Sequence, residues 1–192
     1  MQRLFIFSPS VKIVVEGLLR YLNKVIAALK EDAANAWLAK YVAHDVYKSQ
    51  DAGGKRPVCP PSKVIKELSP YIPKSPVKLF RGLSFFSDFE SRKNQPRLGS
   101  TYQYIDKQCS SWTTNLGTAI KFAKTRELGF VIYAVIDPAS IIVDIDMWRE
   151  KHEGSDLKWA EHEVIVKPID MKTKVAFIHS TSGNISKTAS GF

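Results

Sequence analysis

Three short segments of this sequence carry side chains able to do chemistry. The run Ala160-Glu161-His162-Glu163-Val164-Ile165-Val166 passes from charged to strongly β-forming residues, as a loop entering a strand does. Positions two apart in a strand point to one face, so Glu161 and Glu163 project together. Two carboxylates at the mouth of an apolar strand are costly unless they stay in water or are put to use. The run Val77-Lys78-Leu79-Phe80-Arg81-Gly82-Leu83 ends a strand on an arginine followed by a glycine. Such an arginine can clamp a phosphate through two parallel hydrogen bonds, and Gly82 lets the backbone turn sharply or come close to a ligand. In Ser110-Ser111-Trp112-Thr113-Thr114-Asn115-Leu116, hydroxyls able to hold a carboxylate or a ribose line a strand that leads into a helix. Taken singly, each segment has an ordinary reading: an exposed strand mouth, a surface arginine before a turn, and a Thr-rich strand.

The elements that must position these groups follow from periodicity. Apolar residues at 11, 14, 15, 18, 19, 22, 25, 26 and 29 predict a helix over 11–29, capped by Ser10. A second helix is predicted over 32–47, with Trp37, Leu38, Tyr41 and Val42 on one face and several alanines favouring the state. Residues 48–61 contain a glycine pair and three prolines and read as a loop, followed by a short helix at 62–69. Beyond 77 the texture becomes β-rich, with runs at 77–80, 109–114, 129–136, 140–145, 161–167 and 173–178. One short helix, 116–124, interrupts them, and Asn115 is placed to cap it. A helical N-terminal region (1–75) followed by a mostly β core (76–192) predicts an α+β fold rather than alternating βαβ units. No internal repeat, GxGxxG or P-loop is present.

The length of 192 residues suits one compact unit, and 44% hydrophobic content suits a folded protein. A net charge of +9 and a pI near 9.5 favour acidic partners such as nucleic acid, a dinucleotide, an acidic protein surface or an anionic membrane, without choosing among them. Cys59 and Cys109 have no knuckle spacing; one disulfide between them is open, but two buried free thiols of a cytosolic protein is the favoured reading. His44, His152, His162 and His179 form no zinc pattern, so no metal is expected. No apolar run reaches the ~20 residues that span a bilayer, and the N-terminal stretch lacks a convincing signal-peptide cleavage site. A cytoplasmic protein with no membrane partner is the expectation.

The three chemical segments occur in a particular order: Phe80-Arg81-Gly82, then Ser111-Trp112-Thr113-Thr114-Asn115, then Glu161-His162-Glu163. That order resembles the R-S-E class of mono-ADP-ribosyltransferases, whose pattern is aromatic-Arg-Gly, a Ser-Thr-Ser-like strand and Glu-x-Glu. Leu-Phe-Arg-Gly-Leu, and Ser-Trp-Thr-Thr running straight into a helix, look closest to the phage Mod-type enzymes. The resemblance covers residues 76 to 178. It implies a split β-sandwich core, NAD as co-substrate, release of nicotinamide, and transfer of ADP-ribose to arginine side chains of a target protein. By analogy the target is host transcription or translation machinery, met in the host cytoplasm. The resemblance implies that Glu163 bonds the ribose 2′-hydroxyl and that Thr113, in the place of the first serine, holds Glu163 or the ribose. Ser111 is the alternative hydroxyl. Arg81 is expected to bind the diphosphate, with Gly82, Ser111 and Thr114 as further cofactor contacts; beside the resemblance, Arg126 is a candidate phosphate contact and Phe85 or Phe86 a candidate to stack on a base. Glu161 orients the acceptor guanidinium, against which Trp159 packs. Asn115 departs from the pattern at its third hydroxyl. Two rival functions stand beside this one. Either the acceptor is nucleic acid or water, or the chain is a non-catalytic basic module that binds nucleic acid or protein.

Overall fold

The structure, a computed structural model, describes residues 33–41, 59–86, 96–152, 162–181 and 185–189. The helix predicted over 11–29, Trp159 and Glu161 lie outside the described residues. The fold is α+β, with short helices packed on an antiparallel sheet. In chain order the elements are helix α1 (33–41), helix α2 (Ser62–Leu68), strands β1 (Val77–Phe85), β2 (Thr101–Asp106) and β3 (Ser110–Thr113), and helix α3 (Leu116–Ala123). They continue with strands β4 (Leu128–Ile136) and β5 (Ile141–Asp144), helix α4 (Ile145–Lys151), and strands β6 (Glu163–Val166), β7 (Ile169–Ser180) and β8 (Ile185–Thr188). Three of these, β2, α4 and β8, have no counterpart among the predicted elements.

The sheet runs β2-β7-β4-β1-β3-β6-β5, with β8 added beside β7. Its two halves are held very differently. β1 and β4 are paired along their full length, from Val77↔Ile136 to Phe85↔Leu128, whereas β1 and β3 share one register pair, Phe80↔Thr113. The ladder is therefore pinched at that point, and the halves pack over one another. Tyr104 of β2 meets Trp112 of β3 edge-on, with ring centroids 5.5 Å apart, although the two strands are not neighbours in the sheet. A single apolar cluster between the layers draws on Leu79, Tyr104, Trp112, Ile132, Val164 and Val175, from six different strands. This interdigitation buries apolar surface from both layers.

The outer faces are covered by helices, as the alternation of strand residues requires. In β6, Val164 and Val166 enter the inter-sheet cluster while Ile165 faces a second cluster with Leu38 and Tyr41 of α1, Leu68 of α2 and Trp148 of α4. On the other half, α3 lies across β1 and β4 through Ala119 and Ala123. Gly82 and Gly129 permit that approach. A Cβ on Gly82 would sit 2.1 Å from the Ala119 carbonyl oxygen, and one on Gly129 would sit 1.8 Å from that of Ala123. The backbone brought close by Gly82 is thus that of α3, not a ligand. The Asn115 side chain caps the helix, accepting from Thr118 N–H at 3.1 Å.

The expectation of two free thiols is overturned: Cys59 and Cys109 form a disulfide across 50 residues, their Cα atoms 5.5 Å apart. The cause is tertiary. The chain entering α2 is laid over the start of β3 when α1 and α2 cover that half of the sheet, and Cys109 is fully buried in the same cluster as Leu38 and Leu68. Cysteines remote in sequence thereby come within bonding geometry. Among the described residues, no helix is long and apolar enough to cross a membrane.

Candidate functional site

Arg81 sits on the inner face of β1, between Leu79 and Leu83, where an unpaired charge is strongly disfavoured. Its surroundings compensate. Nη1 donates to the Ser111 carbonyl, Nη2 faces the Asp106 carboxylate at 3.8 Å, and the guanidinium carbon lies 5.8 Å from the Tyr104 ring centre. Asp106 is itself fixed, accepting from Tyr104 Oη at 2.9 Å and from the Gln108 backbone at 3.1 Å. Nε of Arg81 is buried with no hydrogen-bond partner. The guanidinium acts as a strut: where the β1–β3 ladder stops, it bridges from β1 to the Ser111 carbonyl of β3.

Ser111 and Thr113 point to the opposite face of β3, the face of Cys109, because residues two apart share a side. Glu163 opens β6 and is the register partner of Thr113, with Ser111 on the diagonal. The Ser111 hydroxyl donates to Glu163 Oε1 at 2.5 Å. Thr113 is buried, and its hydroxyl accepts from the Asn115 backbone at 3.1 Å, closing the turn into α3. Ser111, the alternative hydroxyl of the pattern, thus has a direct bond to the carboxylate, and Thr113 lies beside it as the register partner of Glu163. One residue links the two charged groups: Arg81 bonds the carbonyl of Ser111 and Glu163 accepts from its hydroxyl.

The turn before Glu163 is tightly set. His162 has φ of 52°, in the left-handed region that histidine enters more readily than most residues. Its carbonyl accepts from Thr114 N–H at 3.3 Å, and its Nδ1 lies 2.7 Å from Asp146 Oδ2 on α4. Thr114 makes this bond with its backbone, and its side chain is exposed. Arg126 follows α3, and its guanidinium lies 4.3 Å from the ring centre of the exposed Phe86. Phe86 is five residues beyond Arg81, roughly 17 Å along an extended chain. Both aromatic candidates are exposed, but Phe85 stacks on Phe130 at 5.6 Å while Phe86 is the more open of the two.

Sequence reasoning missed three contributors. Asp106 carried a signal, since Tyr104 and Asp106 share a face of a readable strand. Tyr41 was seen as part of a helix face, yet nothing local says that its hydroxyl lies 3.2 Å from Ser111 Oγ. The third is Asp144, whose side chain caps α4 by accepting from Asp146 N–H at 2.9 Å and Met147 N–H at 3.3 Å. Burial raises the Asp144 pKa above the ordinary carboxylate value, against the lowering effect of those two hydrogen bonds. With the folded pKa raised, the native state binds the proton more readily than the unfolded chain. Asp144 therefore favours folding below the unfolded pKa, and that contribution is lost as pH rises through the folded value. Asp144→Asn keeps a good cap and removes the charge, so its melting temperature at pH 7 should be no lower than that of the native chain. Asp144→Ala should cost about 1 kcal/mol. Thermal melts between pH 4 and 7 check both, and an asparagine variant less stable than native at pH 7 contradicts this account.

Among the described residues, no three His, Cys, Asp or Glu side chains gather as metal ligands would. Compared with protein families, curated proteins and solved structures, the chain matches none.

Proposed function

We propose that this chain is a mono-ADP-ribosyltransferase that cleaves NAD and passes ADP-ribose to arginine side chains of a target protein. The observation that carries the reading is that an arginine from β1 and a glutamate from β6 are both bonded to Ser111 of β3, the arginine through its backbone carbonyl and the glutamate through its hydroxyl. The resemblance drawn from sequence order needs those three residue types at one place. A two-layer sheet pinched at Phe80↔Thr113 also suits the split β-sandwich it implies.

The chemistry follows from the leaving group. When the bond between the ribose C1′ and nicotinamide breaks, its electron pair leaves with the pyridine ring and positive charge spreads over the sugar carbon and ring oxygen. A fixed carboxylate stabilises that charge where it develops, as in glycoside cleavage. Glu163, oriented by Ser111, is the group for this task and for the 2′-hydroxyl of the ribose. Arg81 would offer Nη2 to the diphosphate, with Asp106 as the carboxylate that a phosphate must displace or share. Gly82 lies under α3, so its part is to seat the helix beside the arginine. Thr114 and Arg126 are the remaining groups for the dinucleotide, the latter at the Phe86 end of β1. A nitrogen of the acceptor guanidinium then bonds C1′ and gives up a proton. Glu161 orients that guanidinium, with Trp159 packed on it.

Adenylate-labelled NAD incubated with the purified chain tests the reading. Nicotinamide should be released, and label should appear on arginine-containing protein rather than on RNA, DNA or free in solution. A chain that releases no nicotinamide excludes it. Label on nucleic acid would transfer the same chemistry to a different acceptor. In Glu161→Ala, hydrolysis of NAD should persist while transfer to arginine is lost. If both fall together, the division of labour between the two glutamates is wrong.

A further inference from the structure

Resting on the reading just proposed, we infer that Tyr41 of α1 is a positioning residue of the site, holding Ser111 so that its hydroxyl is aimed at Glu163. The argument begins with protons. Ser111 has one hydroxyl proton, and Glu163, as a carboxylate, can only accept, so that proton lies between them. Ser111 Oγ is left as an acceptor toward Tyr41 Oη at 3.2 Å, which makes the tyrosine the donor. The three oxygens form a directed chain: Tyr41 to Ser111, Ser111 to Glu163. Tyr41 is 3% exposed, so little water is at hand to replace its hydroxyl. Buried hydrogen bonds in series polarise one another, which strengthens the bond to the carboxylate.

The setting of Tyr41 explains how a helix outside the sheet can do this. Its ring packs on Trp37 at 5.2 Å and joins the cluster that also holds Ile165 and Cys109. Cys109 lies just before β3, two residues ahead of Ser111, in the helix-covered cluster, and is bonded to Cys59. The helical layer therefore grips this short strand twice, covalently just before its start and through the tyrosine hydroxyl within it. On this account the N-terminal helical region is part of the working site and not merely a cover.

The test is a double-variant cycle on the full chain. Tyr41→Phe should lower kcat for nicotinamide release about fivefold, the worth of one buried neutral hydrogen bond, with KM for NAD within about twofold. In a Ser111→Ala background the same change should have no further effect, because the link it acts through is gone. The inference is overturned if Tyr41→Phe slows Ser111→Ala as much as it slows the native chain, or if KM rises with kcat unchanged. A substrate-free readout separates this inference from the reading beneath it. The Glu163 carboxyl carbon, followed by NMR, should change its titration midpoint when the Tyr41 hydroxyl is removed. An unmoved midpoint overturns the positioning role whether or not the native chain consumes NAD. A moved midpoint in a chain that releases no nicotinamide leaves the chain of hydrogen bonds standing and removes only the proposed reaction.

Discussion

Glutamine at position 163 should reduce nicotinamide release from NAD by about 100-fold or more, with dinucleotide binding largely kept. The expectation rests on what the substitution changes and what it leaves alone. Glutamine matches glutamate in length and shape, and its carbonyl oxygen can still accept from Ser111, so the half-buried entrance of β6 has no reason to rearrange. The lost element is the negative charge, which matters little to a bound ground state and much to a sugar carbon losing its leaving group. The effect should therefore fall on kcat, with KM and the calorimetric affinity for NAD nearly unchanged. Single-turnover release of nicotinamide by the two proteins measures it. Equal rates would show that residue 163 does not face the reacting carbon. A parallel loss of NAD affinity would make it a binding group instead.

Breaking the Cys59–Cys109 bond should have the largest effect on stability. The bond closes a loop of 50 residues. Chain-entropy reasoning for a loop of that length gives about 4 kcal/mol. For a chain of this size that corresponds to a fall in melting temperature of roughly 8–16 °C. The consequence should reach function before unfolding, because Cys109 immediately precedes the four-residue strand that carries Ser111. Melting curves with and without reductant, and of Cys59→Ser, provide the measurement, with mass spectrometry to verify the bond state. A confirmed reduction that leaves the melting temperature within about 1 °C would mean that the helical layer holds β3 without the covalent link.

The elements that sequence reasoning recovered share one property: their patterns are local. Leu128–Ile136 is a long β-branched and aromatic run, and the strand expected at 77–80 is present but runs on to Phe85, so Arg81 and Gly82 lie inside the strand and do not end it. Leu116–Ala123 carries its own cap in Asn115, and Ser62–Leu68 follows a proline pair. The elements it missed lack such patterns. Ile145–Lys151 is a two-turn helix whose start depends on Asp144, and Ile185–Thr188 is a polar strand defined by its pairing with β7. The motif left Thr113 and Ser111 both open as the hydroxyl beside Glu163, because the two share a face of one strand; the Ser111 hydroxyl bonds the carboxylate and Thr113 is its register partner.

From the residues alone came the α+β class, the order arginine, hydroxyl strand, Glu-x-Glu, and the chemistry those groups can perform, because residue type and a period of two or 3.6 are properties of neighbouring positions. Tertiary structure decided which hydroxyl meets the carboxylate, that Gly82 seats a helix, that Asp106 and Tyr41 join the site, and that Cys59 finds Cys109. The reason is physical. Each of these contacts joins residues 25 to 70 positions apart or lies between separate layers, where position is set by how the sheet folds back on itself and which helix covers it.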